Sequence, residues 1–271
     1  SAPEAAVSIS AALRGNAGIT IGNVAGSNIL NILIILGLTA FFAKKIVPVA
    51  SSTIKYEMPF MIVTMLILLW MGYAGNKISR LEGAGLWAVF LLYLFYLLKM
   101  AKKGIDKSSA DDEGENAGRA GDKKEKSMAI LLLFTAAGLA LIVIGSSVTV
   151  DAATAIARII GLSERFIGLT IVALGTSLPE LFTSVSAARK GSADIAIGNI
   201  VGSNIFNILF VTGTSAVITP VVFESKFIVD FIVAVAAGVM LWIFSFSGKS
   251  LNRVEGGLLL LGYLGYFIYL L

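Results

Sequence analysis

One stretch of this chain occurs twice. Residues 1–37 return as residues 177–213, and 21 of the 37 aligned positions are identical. Ser1-Ala-Pro-Glu4 and Gly22-Asn-Val-Ala-Gly-Ser-Asn-Ile-Leu-Asn31 become Ser177-Leu-Pro-Glu180 and Gly198-Asn-Ile-Val-Gly-Ser-Asn-Ile-Phe-Asn207. Each copy places a carboxylate and amides inside an apolar run, where an ionised acid costs about 2.5–3.5 kcal/mol on insertion scales. A matched cost of that size constrains the fold more than any other feature: the two acids must be buried together or face water.

The medium follows from composition. Hydrophobic residues make up 57% of the chain, charged residues 14%, and mean hydropathy is +0.89. A soluble domain carries about a quarter charged residues, so this is a polytopic, all-α integral membrane protein surrounded by lipid. The absence of Cys and His removes thiolate and imidazole chemistry. Oxygen is the remaining ligand type, and it suits hard cations such as Ca2+ and Na+. The net charge of +4 calls for no nucleic acid, because basic residues of membrane proteins gather in cytoplasmic loops.

Hydropathy and charge punctuation put spans at 19–43, 57–74, 83–100, 128–148 (continuing toward 161), 166–189, 195–218, 227–246 and 254–271, after a helix tail at 1–13. Residues 1–100 form a first repeat, 101–126 a polar linker, and 127–271 a second repeat. Ser79-Arg-Leu-Glu-Gly83 is echoed by Asn252-Arg-Val-Glu-Gly256 before the last span of each half. The second copy of the motif starts before position 177, with Gly175-Thr176. We therefore expect a missing N-terminal part, one helix and the first half of the next. Five spans per complete half is odd, so the halves enter the membrane in opposite senses, with a site where they meet at the midplane. With loops assigned to alternate sides, fifteen of the 21 Lys and Arg fall on the side of the linker, which makes that side cytoplasmic.

Within 166–189, Gly175 and Pro179 loosen or kink a helix. That would release a carbonyl such as that of Ala173 beside the hydroxyls of Thr176 and Ser177 and the carboxylate of Glu180. Ser27 and Asn31, like Ser203 and Asn207, lie four apart on one helical face. The glycine pairs Gly22/Gly26 and Gly198/Gly202 permit close helix approach. The acidic run Asp111–Glu115 reads as a solvated loop, Glu57 and Asp230 as first-turn acids favoured by the helix dipole, and Trp70, Trp87 and Trp242 as interfacial anchors.

These paired motifs resemble the α-repeats of the sodium/calcium exchanger family, within the cation/Ca2+ antiporter superfamily. The resemblance implies ten spans in two inverted five-helix repeats, with the first span and part of the second missing here. It implies a central cation site built from Ser1, Glu4, Ser27, Asn31, Thr176, Ser177, Glu180, Ser203 and Asn207, the glutamates holding Ca2+ in one state and Na+ in another. Asn207 departs from the aspartate that many relatives carry. The implied activity is antiport of Ca2+ against Na+ in the plasma (inner) membrane of a prokaryote, not enzymatic catalysis. No cofactor is expected, the ions being cargo. The residues leave open H+ or K+ as driving ion, a pore, and an incomplete, inactive module.

Overall fold

The computed structural model describes residues 1–15, 17–43, 46–111, 128–161, 166–189 and 193–271. Helices follow one another as α1 (Ala2–Leu13), α2 (Gly18–Phe42), α3 (Thr53–Gly75), α4 (Arg80–Asp111), α5 (Met128–Ile159), α6 (Ile167–Thr176), α7 (Leu178–Arg189), α8 (Ile195–Ile218), α9 (Phe227–Gly248) and α10 (Arg253–Leu270). Among the described residues α2, α3, α8, α9 and the first part of α4 are long and apolar enough to cross a membrane. The pair α6–α7, bent by 51°, makes a sixth, broken span. Sequence puts α5 and α10 in the membrane as well. In α10 the first turn carries Arg253 and Glu255.

The predicted linker is shorter than expected. α4 runs on past Met100 to Asp111, because lysine and alanine are good helix formers and a helix need not end at the membrane surface. Residues 112–115 of the acidic run lie outside the described residues. The predicted extension beyond residue 148 is borne out as one helix to Ile159.

Two short antiparallel ribbons fix how the halves are arranged. β1 (Val47–Pro48) pairs with β4 (Ser250–Leu251), Val47 opposite Leu251, and β2 (Lys77–Ile78) pairs with β3 (Val221–Val222), Lys77 opposite Val222. In the first half the order is β1–α3–β2, and in the second β3–α9–β4. Pairing β1 with β4 at one end and β2 with β3 at the other requires α3 and α9 to run in opposite senses. That is the inverted repeat, read from backbone hydrogen bonding. The ribbons also join the loops that charge had assigned to common sides: 43–52 with 249–252, and 76–79 with 219–226. Arginine side chains complete both clasps: Arg253 donates to the carbonyl of Ala43 at 3.0 and 3.3 Å, and Arg80 to that of Ile218 at 3.3 Å.

The second sequence echo has a physical cause in each half. Ser79 and Glu82 exchange hydrogen bonds at the start of α4, with the Ser79 amide 2.7 Å from Glu82 Oε2 and the Glu82 amide 3.3 Å from Ser79 Oγ. Asn252 and Glu255 do the same for α10, so both are capping boxes. The glycine that follows lets backbones touch. A Cβ on Gly256 would lie 2.8 Å from Ala40 Cβ and 2.9 Å from the Gly37 carbonyl. One on Gly83 would lie 2.8 Å from Ala216 Cβ and 2.9 Å from the Gly213 carbonyl. Gly256→Ala is therefore expected to lower stability by about 1–3 kcal/mol through overpacking, seen as a lower melting temperature in detergent. Gly257→Ala, whose Cβ would meet nothing within 4 Å, is the matched control and should melt no lower than the parent.

Trp87 and Trp242 correct the anchor reading. Their indole N–H groups donate to Thr214 Oγ1 and to the Ile54 carbonyl, each at 2.9 Å. They join helices within the protein, whereas Trp70 is 68% exposed and free to face lipid.

Candidate cation site

The broken span sets up the site. Ser177, with φ −87° and ψ 2°, separates α6 from α7, and Pro179 then falls in the first turn of α7, where its missing N–H breaks no helical hydrogen bond. Glu180 occupies the same turn, at the positive end of the helix dipole. The first half is built alike: Pro3 and Glu4 open α1 after Ser1. Both acids lie inside the protein, Glu4 fully buried and Glu180 4% exposed.

The two halves exchange hydroxyls. Ser177 Oγ donates to Glu4 Oε1 at 3.0 Å, and Ser1 Oγ donates to Glu180 Oε1 at 3.2 Å. Each acid thus bonds the serine three residues before the other acid, and the acids meet around one point.

An asparagine quartet repeats the exchange one layer away. Asn31 Nδ2 donates to Asn204 Oδ1 at 2.9 Å, and Asn207 Nδ2 donates to Asn28 Oδ1 at 3.3 Å and to Ser27 Oγ at 3.2 Å. All four amides are fully buried. Asn31 and Asn207 each open a π turn, at Asn31–Leu36 and Asn207–Thr212. Such turns inside α-helices are frequent at functional sites. A third cluster links the quartet to the acids. Thr176 Oγ1 lies 3.4 Å from Asn23 Oδ1, and Asn23 Nδ2 donates to the Glu4 carbonyl at 3.2 Å and to Ser8 Oγ at 3.0 Å. Asn23 and Ser27 are one turn apart on α2.

Four oxygens of this assembly are buried without a hydrogen-bond partner: Glu4 Oε2, Glu180 Oε2, Asn31 Oδ1 and Asn207 Oδ1. An unsatisfied buried acceptor costs about 1–3 kcal/mol, so four at repeat-related positions call for a ligand. Carboxylate and amide oxygens are the donors hard cations take. Among the described residues no group of three or more His, Cys, Asp or Glu comes together, so the site's acids are Glu4 and Glu180.

Two expected members sit differently. The Ala173 carbonyl is not free, because it accepts from the Ser177 amide at 3.0 Å and from Thr176 Oγ1 at 3.1 Å. The break falls one turn later than proline suggested, so the released groups are side chains. Ser203 is half-buried and takes no part in the network. On α2, Gly26 lies under α6, a Cβ there being 2.7 Å from the Leu169 carbonyl, whereas a Cβ on Gly202 would meet nothing within 4 Å. Asn23 is buried beside Thr176, its repeat-related Asn199 is exposed, and Ser184 Oγ is without a partner. Sequence reading had not singled out Asn23, Asn28 or Asn204; spacing carried the signal for the last two, three residues before Asn31 and Asn207 on the same helical face.

Comparison with known proteins agrees with this geometry. The family model described as sodium/calcium exchanger protein matches residues 1–99 and 130–271. The chain is 40% identical over 271 residues to CaxA of Alkalimonas amylolytica, covering 98% of this chain and 82% of that protein. It is 31% identical over 302 residues to the sodium/calcium exchanger MaX1 of Methanosarcina acetivorans, covering 100% and 85%. A solved structure of the sodium-calcium exchanger NCX_Mj, soaked with 2.5 mM Na+ and 0.1 mM Ca2+, superposes with a TM-score of 0.76 at 27% identity, covering 98% of this chain and 81% of that one. With its duplicated motif, inverted halves and paired buried acids, the chain belongs to the sodium/calcium exchanger protein family.

Proposed function

We propose that this protein exchanges Ca2+ for Na+ across the plasma (inner) membrane of a prokaryote by alternating access to the site between its halves. The observation that carries the reading is the set of four unpartnered buried oxygens, two of them from carboxylates at repeat-related positions. Glu4 and Glu180 supply the charge, Asn31 and Asn207 neutral oxygens, and Ser1, Ser27, Thr176 and Ser177 hydroxyls that orient them. Ser203 and the Ala173 carbonyl join only if the helices that carry them shift.

Two ionised carboxylates carry a charge of about −2, and moving them unneutralised through a low-dielectric barrier is strongly unfavourable. One Ca2+ neutralises the pair, as do two Na+; a third Na+ exchanged per Ca2+ moves one net charge, worth about 2.3 kcal/mol per 100 mV. Only filled states cross, which makes the cycle exchange and not leak. The side bearing the linker and the β1–β4 ribbon faces the cytoplasm, following its excess of Lys and Arg. α5, packed against α1 and α6, is the element placed to slide past the site.

Proteoliposomes loaded with Na+ should take up 45Ca2+ about tenfold faster or more than vesicles without a Na+ gradient. Matched H+ and K+ gradients should give no such drive. Uptake indifferent to Na+ but driven by H+ would reassign the coupling ion, and uptake driven by none of them would remove the antiport reading.

A further inference from the structure

Away from the cation site the repeat carries a second matched pair, an acid and a tyrosine, and the two halves treat it differently. In the second half Asp230, in the first turn of α9, is fully buried and accepts a hydrogen bond from Tyr266 of α10 at 2.9 Å. The corresponding residues of the first half, Glu57 in α3 and Tyr93 in α4, do not close on each other. They line a pocket of about 420 Å³ together with Lys55, Phe60, Leu92 and Tyr96.

The pocket has three chemically distinct parts. Its wall is aromatic: Phe60 stacks on Tyr93 with ring centroids 5.3 Å apart, and Tyr93 on Tyr96 at 6.3 Å, the planes within 25° of parallel. Its polar end holds Glu57, bonded to Thr53 Oγ1 at 3.0 Å through one carboxylate oxygen, and the Tyr96 hydroxyl, buried without a partner. Lys55 stands exposed at the rim, and Leu92, 70% exposed, opens the lower end toward the protein's outer face. The polar end is level with the charged end of α4, where Lys99 and Lys102 follow, so it lies at headgroup depth with the apolar end pointing into the bilayer.

We propose that this pocket binds a phospholipid with a primary-amine headgroup, phosphatidylethanolamine being the type. The ammonium sits on Glu57 against the tyrosine faces, where carboxylate and ring quadrupoles both favour a cation. The phosphate lies on Lys55 with Tyr96 donating its free hydroxyl, and an acyl chain runs down past Leu92. An anionic headgroup without an amine would meet Lys55 equally well but leave Glu57 facing a phosphate. The sign of the pocket therefore selects the zwitterion.

The test uses the purified full chain in detergent with equimolar phosphatidylethanolamine and phosphatidylglycerol of the same acyl chains, bound lipid being counted by native mass spectrometry. We expect phosphatidylethanolamine to be retained about tenfold over phosphatidylglycerol, and Glu57→Gln to bring the ratio near one. Leu92→Trp, at an exposed position that leaves the polar end intact, should block the pocket and lower retention of both lipids while the melting temperature holds. Equal retention of the two lipids by the parent chain would overturn the proposal, as would an unchanged ratio in Glu57→Gln. Free ethanolamine at millimolar concentration should not displace the lipid. If it does, the pocket is a soluble-amine site and the acyl-chain part of the proposal fails.

Discussion

Glu180→Gln is expected to cut Na+-driven Ca2+ uptake by about a hundredfold, corresponding to ~3 kcal/mol of lost cation stabilisation, and Glu4→Gln by about as much. The near equality follows from the exchanged hydrogen bonds, since each carboxylate takes one hydroxyl from the opposite half, at 3.0 and 3.2 Å. Glutamine keeps that acceptor and the shape, so neither variant should unfold. Removing a buried charge can even raise stability without ions. What should vanish is the stabilisation that Ca2+ gives the parent protein, about 2.7 kcal/mol at a hundred times the dissociation constant. Melting curves with and without Ca2+ separate this from misfolding. Uptake by either variant above about a tenth of the parent rate would mean that the paired acids do not hold the ion.

A disulfide across the β2–β3 ribbon should leave exchange running. Lys77 and Val222 are direct partners in that ribbon, both exposed, and opposite residues of antiparallel strands have Cα atoms about 4.5–5.5 Å apart, within disulfide range. The chain has no cysteine of its own, so Lys77→Cys with Val222→Cys gives one defined bridge. Closing so long a loop should stabilise the fold by about 2–4 kcal/mol, and oxidised protein should keep at least about half of its Ca2+ uptake, because the proposed cycle moves α5 past the site and leaves the ribbons paired. Uptake lost on oxidation and restored by a thiol reductant would show instead that the clasp opens in every cycle.

Much of the architecture was legible in the residues. Long apolar runs placed α2, α8 and α9 within two residues at either end, and an odd number of spans per repeat demanded inversion. The duplicated Glu, Ser and Asn positions marked the candidate site, because burying the same polar residue twice in apolar stretches is costly unless a bound ion offsets it. Three features were not legible. Strands of two residues, such as Val47–Pro48 and Val221–Val222, are too short to show a period. The π turns at Asn31 and Asn207 add one residue to a helical turn without any composition of their own. The Ala173 carbonyl was misjudged because proline marks where a helix loses a donor, not which carbonyl then lacks one: Thr176 and Ser177 reach back to it. Ser203 was chosen from the symmetry of the repeat, and, half-buried, it makes no hydrogen bond in the network.

The cross-half bonds of the site also bear on symmetry. Glu4 depends on Ser177, Glu180 on Ser1, Asn31 on Asn204, and Asn207 on Asn28. A lone half thus owns one member of each of these bonds, whereas two identical copies related by a two-fold axis would regenerate all four. The bonds across the halves of this single chain are thus the bonds such a two-fold dimer would make between its subunits.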